Sequence, residues 1–237
     1  MNNYTIKQFS NKEELANGAS KIIANHINCC LEKKDRVQIS LCGGSTPSNT
    51  YKILSKFNLS WEKVDVFLGD ERWVELSDES SNALMVMNTL LLNSPGSNAR
   101  FYSVKTTELT SPEKSAEYYE KIIQTNCNGD KYLFDLMLLG LGEDGHTASL
   151  FPYSESLNII DRYTTTGKAK GHDRITLTHT VLSSARKIIF LISGRSKQTA
   201  LQRLLDPFES NDRTPAKLVK SSEDILVLTD YDASDFI

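Results

Sequence analysis

One stretch concentrates the groups that hydrolytic chemistry needs: Gly140-Leu141-Gly142-Glu143-Asp144-Gly145-His146-Thr147-Ala148-Ser149-Leu150-Phe151-Pro152. His146 follows an apolar run and sits beside glycines. An imidazole so placed serves as a general base near neutral pH. Asp144, two residues earlier, is placed to orient and polarise it. Residues 140–145 also spell Gly-x-Gly-x-x-Gly, the dinucleotide fingerprint. Three features argue against that use. Pro152 interrupts the long helix that the fingerprint must open. Glu143 and Asp144 would face a pyrophosphate. No second strand with an acidic end follows at the required distance. The other histidines have less to offer: His26 falls on an apolar helix face, His172 in a polar loop, and His179 after a short apolar run.

Three further segments carry groups suited to an anion. Cys42-Gly43-Gly44-Ser45-Thr46-Pro47 places two glycines, two hydroxyls and the start of a helix after an apolar run. Free N–H groups and the positive end of the helix dipole make such a turn a phosphate cradle. Thr46 is the expected N-cap, with Pro47 at the first helical position. The lysine and spacing of the nucleotide-binding loop are absent. Gly69-Asp70-Glu71-Arg72-Trp73 crowds three charges at the end of another apolar run, where Arg72 and Asp70 are candidate site residues. Ser193-Gly194-Arg195-Ser196-Lys197 places Lys197 in the first turn of a helix, where a cation opposes the dipole and points to a nearby anion. Arg174, at the start of a short strand, is a second candidate cation.

These segments need elements to hold them, and the sequence alternates accordingly. Short strands are expected at Tyr4 to Phe9, Val37 to Cys42, Val64 to Leu68, Leu133 to Leu139, Ile188 to Ile192 and Ile225 to Leu228. Between them lie amphipathic helices. Asn11-x-x-Glu14 reads as a capping box, followed by Leu15, Ala19, Ile22, Ile23, His26, Ile27 and Cys30 on one face. Ser80 to Leu92, Ser111 to Gln124 and Ser196 to Leu205 supply further helices. Apolar strands alternating with helices give an α/β fold: a single domain spanning 1–237, with a mostly parallel, Rossmann-like sheet covered by helices on both faces. Function in such sheets gathers beyond the carboxyl ends of the strands. All four segments fall there.

Composition sets the outer bounds. The chain has 237 residues, 39% apolar and 24% charged, with 27 Lys+Arg against 30 Asp+Glu and a net charge of -3. That is too apolar and too near neutrality for a disordered chain, and it gives no global attraction to nucleic acid. No stretch approaches a membrane span, and the N-terminus lacks the signature of a secretory signal. Cys29, Cys30, Cys42 and Cys127 have no His or Cys partner at ligand spacing, so no metal or cofactor site emerges. No nucleophile elbow occurs. A small anion gripped by a few placed cations fits this balance.

In sequence and order, the Leu41 to Pro47, Gly69 to Val74, Gly140 to Pro152 and Arg174 to Thr178 segments resemble the 6-phosphogluconolactonase family. Ser193-Gly194-x-x-Lys197 and Thr214-Pro215-Ala216 fit it too. The related glucosamine-6-phosphate deaminases carry the same Asp-Gly-His turn but place a ring-opening glutamate five residues after the histidine, where this chain has Phe151. They also show Asp-Glu-Tyr where this chain has Asp70-Glu71-Arg72. The chain departs from the lactonase pattern at Tyr153, where glycine is frequent, and at Glu75, where proline is common. The resemblance implies a sugar-phosphate isomerase-like fold and hydrolysis of 6-phospho-D-glucono-1,5-lactone in the oxidative pentose phosphate pathway. His146, Asp144, Arg72 and Asp70 would act at the lactone, and Gly43, Gly44, Ser45, Thr46, Arg174 and Lys197 would hold its phosphate. It also implies a cytoplasmic monomer or weak homo-oligomer with no cofactor, acting on a small molecule rather than on nucleic acid or membrane. Deaminase or isomerase chemistry, or sugar-phosphate binding without turnover, are the alternatives.

Overall fold

A computed structural model describes residues 3–127, 131–169 and 171–237. In chain order the elements are β1 (Tyr4–Phe9), α1 (Lys12–Leu31), β2 (Val37–Leu41), α2 (Ser45–Leu54), β3 (Val64–Leu68), β4 (Asp70–Arg72), α3 (Asn82–Val86), β5 (Arg100–Phe101), α4 (Pro112–Asn126) and β6 (Phe134–Leu139). There follow β7 (Thr164–Ala169), β8 (His172–Leu177), α5 (His179–Leu182), β9 (Ala185–Ile192), α6 (Gln198–Leu205), β10 (Ile225–Asp230) and α7 (Tyr231–Ser234).

Seven strands form one sheet in the order β1-β10-β9-β6-β2-β3-β5, and every pairing is parallel. Side chains alternate across it with period two, so a strand buried on both faces is largely apolar. β6, apolar but for Asp135, shows this. Leu136 and Leu138 join the core that contains Leu15, Ile23 and Ile27 of α1. Met137 and Leu139 join the opposite core, with Tyr119 and Ile123 of α4 and Leu201 and Leu204 of α6. Burying each such side chain contributes about 2 kcal/mol. Helices therefore cover both faces.

The ends of the helices follow local chemistry. Asn11 caps α1 by accepting from the backbone N–H groups of Glu13 and Glu14, each at 3.0 Å. Ser111 caps α4 with Pro112 at its first position. The helix expected over Ser80 to Leu92 is shorter. Ser81 caps α3, and the chain then widens into a π-helical turn over Met87–Leu91.

A second, three-stranded antiparallel sheet, β4-β8-β7, has no counterpart in the sequence expectations beyond the strand start at Arg174. The chain leaves the parallel sheet at Gly69, whose N–H bonds Leu41 O and whose O accepts from Leu177 N, both at 2.9 Å. β4 then pairs with β8 so that Asp70 faces Thr176, Glu71 faces Ile175, and Arg72 faces Arg174. Ile175 and Leu177 close one core from this side. The small sheet thus carries two cations of the site across the carboxyl ends of β2, β3 and β6.

Candidate active site

A cavity of about 310 Å3 opens at those strand ends. Gly43, Gly44, Asp70, Arg72, His146, Arg174 and Lys197 all line it, although they come from five separate segments. Asp144 stands behind His146 rather than in the wall. Ser45 and Thr46 form the first turn of α2 and lie outside the lining. Sequence reading gave no role to Asn82 and Ser149, which also face the cavity, together with Phe151.

The start of α2 differs from expectation. Gly44, not Thr46, is the N-cap, with φ 113° and ψ 168°. Only glycine adopts that backbone without strain. It lets the helix begin at Ser45, so Thr46 lies inside the first turn and its side chain caps nothing. Lys197 also sits slightly differently. It ends a 3-10 turn over Arg195–Lys197 and immediately precedes α6 instead of lying within its first turn. The turn is anchored from β10. Buried Asp230 accepts from Ser193 Oγ, from Gly194 N at 3.0 Å, and from Ala233 N at 3.0 Å.

The loop after β6 builds the imidazole site. Gly142 N donates to His146 O at 2.7 Å, and Gly145 N to Gly142 O at 3.0 Å. Asp144 Oδ1 lies 2.5 Å from His146 Nδ1 and also accepts from His146 N at 3.1 Å. A side chain at 142 would stand 2.0 Å from His146 Nδ1, so the dyad requires glycine there. Burial pushes the Asp144 carboxyl up, but its hydrogen bond and charge contact with His146 outweigh this and hold it at about 2. Asp144 is therefore a carboxylate acceptor, which places the proton on Nδ1 and the lone pair on Nε2. No described residue bonds Nε2. Phe151 packs against the imidazole with ring centroids 4.7 Å apart. Its loop reaches Tyr153 in a left-handed conformation, φ 59°, which accounts for glycine at that place in the resembling family.

In the charged triplet after Gly69, Asp70 and Glu71 are buried and Arg72 is half-buried. Asp70 Oδ2 accepts from Ser149 Oγ at 2.5 Å, and Oδ1 accepts from Asn82 Nδ2 at 3.2 Å. Glu71 points the other way. It accepts from the N–H groups of Arg72, Asn82 and Ala83 at 2.7, 2.8 and 2.7 Å, and so ties β4 to the start of α3. Burial pushes its carboxyl up, against those three bonds. Arg72 donates through Nη1 to Ser80 O. Neither Arg72 nor Arg174 forms an ion pair among the described residues, and the Nε of each is buried without a partner. Burial, then the Arg72 charge, push the Arg174 guanidinium down. A buried cation beside a second cation is unfavourable unless an anion joins them.

Among the described residues no three His, Cys, Asp or Glu side chains converge on a common point, and no helix is long and apolar enough to cross a membrane. All four cysteines are free, three of them buried.

The arrangement has known counterparts. Residues 10–228 match the family described as glucosamine-6-phosphate isomerases/6-phosphogluconolactonase. A 6-phosphogluconolactonase of Synechocystis sp. is 35% identical over 228 residues, covering 95% of both chains. The solved structure of the 6-phosphogluconolactonase from Trypanosoma brucei superposes with a TM-score of 0.88 at 25% identity, covering 100% of each chain. A 6-phosphogluconolactonase from Shewanella baltica gives 0.86 at 27% identity, covering 96% of this chain and 97% of that one. With the fold, the cavity and nearly the full length in agreement, the chain belongs to the glucosamine-6-phosphate isomerase/6-phosphogluconolactonase family.

Proposed function

We propose that this chain hydrolyses 6-phospho-D-glucono-1,5-lactone to 6-phospho-D-gluconate, the second step of the oxidative pentose phosphate pathway. The supporting observation is a juxtaposition in one cavity. His146 Nε2, backed by Asp144 and bonded to no described residue, shares it with the buried Arg174 and half-buried Arg72 guanidiniums, neither of which is ion-paired among the described residues. A phospholactone supplies both a carbonyl for the base to act upon and a dianion for the cations.

Arg174 and Lys197 hold the phosphate against the turn at Gly43 and Gly44, with Ser45 and Thr46 flanking it at the start of α2. Binding energy far from the reacting bond thus fixes the ring. His146 Nε2 takes a proton from water as the water oxygen attacks the lactone carbonyl. Arg72 faces the developing negative charge, and Asp70, clamped by Ser149 and Asn82, positions the ring. When the tetrahedral intermediate collapses, the bond from the carbonyl carbon to the ring oxygen breaks. The imidazolium returns its proton to that oxygen, which becomes a hydroxyl. The carboxylic acid formed then ionises. An ester carbonyl is reactive enough that this route requires neither a covalent nucleophile nor a cofactor. Apolar Phe151, packed at a tilt against the imidazole, offers no acid for the ring opening that a deaminase performs.

On this reading the protein works in the cytoplasm, as a monomer or weak homo-oligomer, with a small-molecule substrate and no nucleic-acid or membrane partner. The test is product identification by NMR from freshly prepared lactone and, separately, from glucosamine 6-phosphate. Accelerated appearance of 6-phosphogluconate supports the reading. Ammonia release from the amino sugar with an unaccelerated lactone overturns it.

A further inference from the structure

The lactonase reading leaves open how a polyhydroxylated ring is recognised, since Arg72, Arg174 and Lys197 can only donate hydrogen bonds. A sugar ring also brings donors, and these need acceptors. Asp70 is largely committed: both carboxylate oxygens already accept, from Ser149 and Asn82. Asn82 is differently placed. Its amide nitrogen donates to Asp70 O at 2.9 Å and to Asp70 Oδ1 at 3.2 Å. These two bonds fix the orientation of the amide. Its backbone is held as well, by Glu71 Oε1 at 2.8 Å.

The carbonyl end then turns to the cavity wall at Gly43. A Cβ on Gly43 would lie 1.9 Å from Asn82 Oδ1, so the absence of a side chain there leaves room for that oxygen. Asn82 is only 3% exposed, and no described residue donates to Oδ1. Asn82 lines the cavity, so this oxygen is an acceptor open to whatever occupies it.

Resting on the lactonase reading, we propose that Asn82 determines specificity: its Oδ1 accepts a hydrogen bond from a ring hydroxyl of the bound phospholactone. The same side chain, through its nitrogen, holds Asp70. Its two ends therefore do separable things, one toward the substrate and one toward the protein.

The experiment compares kcat/KM for the parent lactone and its 2-, 3- and 4-deoxy analogues, in wild type, Asn82→Ala and Asn82→Asp. Wild type is expected to disfavour one analogue by about tenfold or more, because the analogue leaves Oδ1 unpaired. In Asn82→Ala that ratio collapses to within about twofold, even though all rates fall through Asp70. Asn82→Asp keeps an acceptor and loses the donors, so the discrimination survives while kcat drops. It also serves if the alanine variant does not fold. A wild type indifferent to all three hydroxyls, or a ratio unchanged in Asn82→Ala, overturns the role of Asn82 alone. Absence of wild-type turnover on the parent lactone overturns the lactonase reading and this inference together.

Discussion

Arg72 and Arg174 are directly paired across β4 and β8, with both Nε atoms buried and neither guanidinium in an ion pair among the described residues. Like charges facing each other in a sheet are destabilising. The pair makes sense as half of a site whose other half is an anionic ligand.

Replacing Arg174 with Met separates stability from binding. The variant should be as stable as wild type or more so in thermal unfolding, because an uncompensated buried cation is exchanged for an apolar chain of similar volume. Its KM for phospholactone should rise on the order of tenfold or more, through loss of a charge-assisted contact. A variant with an unchanged KM removes Arg174 from the phosphate clamp.

Asp144→Asn addresses the dyad. The amide cannot supply the negative charge that stabilises the imidazolium, and it no longer dictates the tautomer. We expect kcat to fall on the order of a hundredfold, with KM little changed. Steady-state kinetics would expose the opposite pattern, a raised KM with intact kcat, which would make Asp144 a substrate-binding group instead.

Much of this was legible in the sequence, for identifiable reasons. β3 and β6 are buried on both faces and therefore read as apolar runs broken only by Asp65 and Asp135. The His146 loop was legible because its groups are neighbours in sequence, and a two-residue separation brings Asp144 to Nδ1. The antiparallel sheet was not. β4 is three charged residues long and carries no periodicity, and its partner lies about a hundred residues downstream. Ser149 was missed because its bond to Asp70 spans 79 positions, a relation that no local pattern records. Asn82 reads as one residue among the polar ones that precede a helix. The cap at Gly44 was misread because Thr46-Pro47 is itself a reasonable helix start, and the positive φ that moves the start earlier leaves no trace beyond the glycine.

Asp230 shows how far the site extends beyond its lining. From the end of β10 it holds Ser193 and Gly194, and through them the turn that presents Lys197. Asp230→Ala should raise KM several-fold with a smaller change in kcat, and should destabilise the protein by roughly 2 kcal/mol through unsatisfied buried donors. Equal loss in kcat and none in KM would detach this anchor from phosphate binding.

Acid stability has a marker remote from the cavity. His26 Nε2 lies 2.8 Å from Asp135 O, and burial lowers the imidazole pKa against that bond. A lowered folded value means that below about 6.5 the unfolded chain takes up the proton first. The contribution is therefore present above that pH and is lost as pH falls toward the folded value. Chemical unfolding between neutral and mildly acid pH should show a shallower decline for His26→Gln than for wild type. Parallel curves would assign the decline to other groups.

Activation of water by His146 on a phospholactone is read by base consumption in a pH-stat, with freshly prepared 6-phosphogluconolactone, against the spontaneous rate. Wild type should exceed buffer by orders of magnitude, and His146→Ala should fall close to buffer while remaining folded by circular dichroism. Equal rates for wild type, His146→Ala and buffer, or full activity in the variant, would contradict the account.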